Sequence, residues 1–297
     1  MSGAMAIRRG RGAWVGDTLN AVLMTLVLLV TLYPFWYCLI LSFNNGYNSR
    51  LGGIYFIPRV FTLRNYEVVF ENPLLLRSFF ITVARTAVGA VTHVLFTAVV
   101  AYGLAKKDLM FRRGYMIFGI ITLYFGGGLI PFYFVLKYLG LINRFAVFIV
   151  PGLYSVFDAL LFIAYFRGIP DSLGESARID GANEVFILAR IILPISMPIV
   201  ATIALFAGVG HWNAWFDSAF FTTNENLRTL QLVLWQVINQ AANQEFLKQR
   251  MIVKQADFTI EAVRYATMMV AVGPIIFVYP FLQRYFIKGM LIGAIKG

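Results

Sequence analysis

Side chains able to make or break bonds are sparse in this sequence. His93 and His211 are its two histidines and Cys38 its one cysteine. They lie far apart in sequence, and none has a partner at metal-ligand spacing. No Ser/His/Asp grouping or carboxylate pair converges, and no GxxxxGK[ST] segment is present to cradle a nucleotide phosphate. A different chemistry, recognition by a folded polar surface, fits residues 169–198, IPDSLGESARIDGANEVFILARIILPISMP. Ser172 and Glu175 have the spacing of a capping box, in which each side chain bonds a free amide of the first helical turn. Asp171 adds negative charge at the positive helix end. Gly181 suits the left-handed residue that closes a helix. From Ala182 to Arg190 a helical pattern restarts, with Val185, Phe186 and Ala189 on one side, and Pro194 stops it. A polar helix–turn–helix of this kind docks on another protein or lies as an amphipathic hairpin at a lipid interface.

A second set of residues stands out by contrast with its surroundings. Arg85, His93, Asp158, His211, Asn213 and Asp217 are polar within apolar runs, where polar groups face a cavity or a partner. Arg85 and Asp217 fall near run ends, which favours snorkelling. For His93 a satisfied helix–helix contact is the plainer reading. Tyr154, Trp212 and Trp215 have the ring faces that stack on a sugar, and equally the character of interfacial belt aromatics. As candidates for a solute path we take Tyr154, Asp158, His211, Trp212, Asn213 and Trp215.

The elements that must position these groups follow from composition. Of 297 residues 60% are hydrophobic and 13% charged, with mean hydropathy +0.75. So few charges cannot cover a water-facing surface. Apolar stretches near 18–43, 79–105, 115–136, 146–166, 195–221 and 262–287 are each long enough to span a bilayer core of roughly 30 Å. They do not alternate apolar with polar, which excludes a barrel and leaves helices. The expected fold is therefore all-α, one membrane domain over 1–297 with six transmembrane helices. The first run is too long for the apolar part of a cleaved leader.

Cations set the orientation. Residues 105–114 hold Lys106, Lys107, Arg112 and Arg113, which places that short connection and both termini in the cytoplasm. Loop 168–194 is then inside, and the longer loops 44–78 and 222–261 are outside. The formal charge of +11 is explained by this distribution, and the basic–aromatic interleaving of nucleic-acid binding is missing. Runs Gly126-Gly127-Gly128 with Pro131, and Gly273-Pro274, mark flexed helix points or close packing sites.

The spacing Glu175-Ser176-Ala177, three residues, Gly181, nine residues, Ile191-Ile192-Leu193-Pro194 resembles the EAA loop of ATP-binding-cassette (ABC) importer permeases. Ser176 departs from the usual alanine but remains small. Tyr33-Pro34-Phe35-Trp36-Tyr37, Gly127-Gly128-Leu129-Ile130-Pro131, Trp212-Asn213 and Tyr279-Pro280-Phe281-Leu282-Gln283-Arg284-Tyr285-Phe286 are similar to the carbohydrate-uptake, MalG-like branch, within the subgroup for complex or acidic oligosaccharides that includes alginate-type importers. The likeness covers nearly the whole chain.

It implies a multi-pass permease subunit in a bacterial inner (plasma) membrane, with the type I importer fold and no catalysis of its own. ATP and magnesium would sit on a partner ATPase. Partners would be a second permease, two ATPase subunits and an external solute-binding protein. Glu175, Ser176, Ala177, Arg178, Asp180, Gly181, Ala182 and Asn183 would form the coupling surface, with Glu175 meeting a basic group of the ATPase. Asn239, Gln240 and Asn243 would lie at the tip of the loop that probes the binding protein, and residues 289–297 would reach between the ATPases. Competing expectations are a permease for a non-sugar solute, and a secondary transporter, although no internal repeat supports the latter.

Overall fold

The computed structural model describes residues 11–239 and 259–294. Among them every regular element is helical, apart from an isolated antiparallel bridge between Asn44 and Phe61. The chain divides into two compact units, Met1–Val69 with Leu247–Met269 and Phe70–Phe246 with Val270–Gly297.

In the first unit, α1 (Arg11–Ser42) is long enough to cross a membrane and almost bare of neighbours, with Trp14 at 71% and Leu29 at 62% exposure. Such an apolar helix is stable only where lipid or another subunit covers it. Thr18, Thr25 and Thr31 return their hydroxyl protons to the carbonyls of Trp14, Ala21 and Val27, so these three hydroxyls are satisfied within the helix. Its end turns into a folded loop. Asn65 Nδ2 donates to the carbonyls of Ser42 and Asn44, both at 2.9 Å, and Asn44 Oδ1 accepts from Val60 N. Two short helices, α2 (Gly46–Arg50) and α3 (Arg64–Glu71), complete this loop.

The second unit is built around α4 (Pro73–Ala105), about 50 Å long at 1.5 Å per residue. It starts six residues before the expected span, because Asn72 caps it by accepting from Leu74 N and Pro73 occupies the first turn, where its missing N–H does no harm. Ser78, Thr82, Arg85, Gly89, His93, Thr97 and Ala101 recur at three- and four-residue steps, and all are buried. They form a polar and small-residue seam on one face of an otherwise apolar helix.

Three expected spans are broken. The third becomes α5 (Arg112–Tyr124) and α6 (Leu129–Tyr138), bent by 118°. Gly128, at φ +78, makes the turn a side chain would strain. The fourth begins as 3-10 turns, Phe145–Phe148 and Val150–Gly152, and is α-helical only as α7 (Val156–Phe166), which starts at a Ser155 cap. The fifth, α11 (Met197–Asn213), stops at Ala214, after which α12 (Phe216–Phe221) follows. The sixth expected run lies within a helix from Ile260 to Ala294, crossed by Pro274 and Pro280.

The main core gathers Ala98, Ala101, Phe162, Phe166 and Ile203 with Ala177, Ile187, Leu188 and Ile192. Loop 168–194 is thus packed into the bundle rather than hung from it.

Candidate functional site

Loop 168–194 folds as a hairpin of α8 (Asp171–Ile179) and α9 (Glu184–Ile187). Its turn is a Schellman closure: Ala182 N donates to Ala177 O at 2.9 Å and Gly181 N to Arg178 O at 3.0 Å, with Gly181 at φ +85. Asn183 caps α9, its Oδ1 accepting from Phe186 N at 2.8 Å. The expected capping box does not form. Pro170 sits at the N-cap, without a side-chain bond, so Ser172 lies inside the helix and instead accepts, through its carbonyl, the Ser176 hydroxyl at 2.9 Å. An Ile-Pro pair forces the chain into an extended entry, and this moves the helix start ahead of Ser172. Pro194 does not end the second arm either. A π turn, Leu188–Ile192, closed by Leu193 N donating to Leu188 O, leads into Pro194; α10 (Leu193–Ile195) follows, and the 87° bend comes at Ser196.

Within this hairpin the candidate residues divide by direction. Ala177 is buried and Ala182 half-buried against the core. Glu175, Ser176, Arg178, Asp180 and Asn183 are exposed. Glu175 borders a cleft of about 430 Å³ together with Lys106, Asp171, Arg178 and Glu184.

Glu184, which sequence reasoning passed over, is the most heavily bonded side chain here. Its carboxylate accepts from Lys106 Nζ at 2.5 Å, from the Tyr102 hydroxyl at 2.7 Å and from Arg178 Nε at 2.9 Å. The Lys106 bond first, then the Tyr102 bond, hold the carboxyl down to about 2. Nothing local in the sequence marks this meeting, since Tyr102 and Glu184 are 82 positions apart. A second tie joins Lys107 Nζ to Asp171 Oδ2 at 3.0 Å.

Deeper in the unit, the seam of α4 meets two of the path candidates, Asp158 and His211. His93 Nδ1 donates to Gly152 O at 2.6 Å, and His93 Nε2 lies 2.9 Å from Asp158 Oδ2. One proton between those two atoms completes the second bond, whichever partner carries it. His211 packs its ring where Gly89 has no side chain; a Cβ there would lie 2.4 Å from Nε2. Trp212 is buried, its Nε1 donating to Ala271 O at 2.9 Å. Asn213 is exposed at the end of α11. Trp215 stacks on Trp235 at 5.0 Å with planes 8° apart, and Tyr154 meets Phe96 edge-on at 6.4 Å.

Arg85 and Asp217 do not snorkel. Arg85 is 2% exposed and makes a two-pronged pair, Nη1 to Oδ1 at 2.9 Å and Nη2 to Oδ2 at 2.5 Å. Nη1 also reaches Ala214 O at 3.2 Å, a carbonyl released by the break after α11, and the guanidinium lies 4.6 Å from the centre of the Phe148 ring. The broken helix and the buried charge satisfy each other.

In the last loop, a helix from Leu230 to Asn239 (α13) packs on α4, and Leu230 N donates to Thr82 Oγ1 at 2.8 Å. Asn239 is exposed, its Nδ2 donating to Trp235 O. Gln240 and Asn243 lie outside the described residues, as do 295–297.

Residues 94–292 match a family model described as binding-protein-dependent transport system inner membrane component. The chain is 35% identical over 287 residues to protein LplC of Bacillus subtilis strain 168, covering 95% of each. It is 30% identical over 281 residues to the polygalacturonan/rhamnogalacturonan transport system permease protein YtcP of the same organism, covering 95% of this chain and 98% of that one. Its fold superposes with TM-score 0.86 and 29% identity on a crystal structure of a bacterial ABC transporter involved in the import of the acidic polysaccharide alginate, over 93% of this chain and 98% of that one.

Proposed function

The chain belongs to the family of binding-protein-dependent transport system inner membrane components, and from that premise we propose how its hairpin and seam serve uptake. It is the permease subunit of an ABC sugar importer in the cell membrane, and it is not an enzyme. A second permease and a separate ATPase complete the machine, and a binding protein delivers the solute. ATP and magnesium belong to the ATPase. The cargo is an oligosaccharide of the class carried by the similar permeases. Both termini and loop 168–194 face the cytoplasm, and both units act as parts of one permease domain, 1–297.

One observation carries the coupling reading. The hairpin presents Glu175, Ser176 and Asp180 outward while Ala177, Ile187, Leu188 and Ile192 are sealed into the helical core. Packed interiors resist compression, so a displacement of α8 passes to α4 and α7 rather than dissipating. Among the described residues no hydrogen bond or ion pair engages the Glu175 carboxylate, which leaves it available for a basic group of the ATPase. Gly181 supplies the bend between the two arms. Tyr154, His211, Asn213 and Trp215 remain the candidates for the solute path, whereas Asp158 and Trp212 are occupied in bonds that hold helices together. Asn239, with Gln240 and Asn243 beyond it, is the candidate contact for the binding protein.

Cysteine placed at Asp180 or Asn183 in a Cys38→Ser background tests the docking. Cross-links to the ATPase subunit in native membranes are the expected result. Labelling by lipid-soluble or outside reagents alone, with no ATPase adduct, would sink the reading.

A further inference from the structure

The geometry points to Glu184 as the positioning residue of a joint that fixes the coupling helix α8 to the end of α4, so that movement of one becomes movement of the other. The inference rests on the docking reading above and goes beyond it to the part of the chain that receives the motion.

Three side chains from two segments converge on this one carboxylate: Arg178 from the last turn of α8, and Tyr102 and Lys106 from the last turn and the cap of α4. Apolar packing already holds α8 to the bundle, but apolar contact is non-directional and tolerates sliding. Hydrogen bonds with charged partners fix angle and register. Lys107 grips Asp171 at the other end of α8. The two ties are seven residues apart, about 10 Å along the helix axis. A single tie would let α8 pivot; two at opposite ends pass on rotation as well as translation. The helix they grip is α4, which carries Arg85, Gly89 and His93 toward the far side of the unit.

Exposure separates this role from simple scaffolding. The Glu184 side chain is 46% and the Lys106 side chain 27% exposed. Ion pairs so open to solvent contribute little to folding. Loss of the joint should therefore leave the protein folded and docked while its two ends move out of step.

The test uses the assembled complex in liposomes, with Cys38→Ser throughout. Leu76→Cys, at the far end of α4, is labelled by a membrane-impermeant maleimide with and without ATP and vanadate. Asp180→Cys reports cross-linking to the ATPase. With Glu184 intact, nucleotide trapping changes the labelling rate at Leu76. In Glu184→Gln that change falls by about threefold or more, within the range for residues that modulate coupling, while the Asp180 cross-link and the melting temperature of the complex stay as they were. Tyr102→Phe removes one of three donors and gives a smaller loss. The reversed pair Lys106→Glu with Glu184→Lys restores part of the response. A full response at Leu76 in both Glu184→Gln and Tyr102→Phe, with the cross-link present, overturns the joint. Absence of the cross-link with Glu184 intact would instead overturn the docking reading. A melting temperature lowered along with the response, and not recovered in the reversed pair, assigns Glu184 a structural role and also overturns the joint.

Discussion

Two ionic systems sit on α4 and obey different physics. Near its middle, Arg85 is 2% exposed, paired in two-pronged fashion with Asp217 and backed by a freed carbonyl and a phenyl ring. At its end, Lys106, Tyr102 and Arg178 surround a Glu184 that is almost half exposed. Removing a charge from water is expensive, and a buried ion tolerates no interval without its partner. An exposed pair adds little to folding stability, so its value lies in the angle and register it sets between the segments it joins. The first system is suited to hold a bundle together and the second to align what it joins.

The largest expected effect lies in the buried pair. Asp217→Leu strands the Arg85 cation and should cost about 3–5 kcal/mol, read as loss of the folded subunit from membranes. Arg85→Met combined with Asp217→Leu should recover much of it, and a double variant no better than the single one would contradict mutual dependence. Next comes the seam. Gly89→Ala drives a Cβ to 2.4 Å from His211 Nε2. Overpacking of this kind costs about 1–3 kcal/mol, visible as a lower melting temperature that His211→Ala relieves.

A smaller effect on folding belongs to the hairpin turn. Gly181→Ala places a side chain at φ +85, for about 1–2 kcal/mol, with sugar uptake falling further than stability does. Smallest for folding, and largest for function, is Glu175→Gln. Since Glu175 does not cap α8, its melting temperature should not move, while ATP hydrolysis runs on without uptake in reconstituted liposomes. Normal uptake would remove Glu175 from the coupling surface.

Acidity offers a finer test of the exposed system. The Glu184 carboxyl is lowered from 4.5 to about 2. A lowered folded value means that its stabilising contribution is fully present above the unfolded value and is lost as pH falls through the interval from about 4.5 to 2. The tie between α8 and α4 in wild type should therefore hold at neutral pH and loosen toward that of Glu184→Gln only below about pH 4.5, read as faster local hydrogen exchange in α8 while the melting temperature stays unchanged. A difference that vanished at neutral pH would contradict the bonded arrangement.

The hairpin was legible because its determinants are local: Gly181 needs its left-handed turn, and Asn183 caps the arm beside it. The helix start was not, since Pro170 displaced the expected Ser172 cap. The runs 18–43, 79–105 and 262–287 fall on single long helices, but hydropathy could not show that 115–136 folds back by 118° or that 195–221 stops at Ala214. A hydropathy window sums side chains and is blind to where a backbone hydrogen bond is dropped and re-satisfied.

Composition alone required a lipid solvent, and the spacing from Glu175 to Pro194 pointed to a coupling hairpin through its resemblance to the importer permeases. Only tertiary structure paired Arg85 with Asp217, 132 positions away, and gathered three donors around Glu184. Sequence periodicity reports which face of a helix avoids water. Which charges meet on that face depends on distances between helices, and those are set by packing the whole bundle at once.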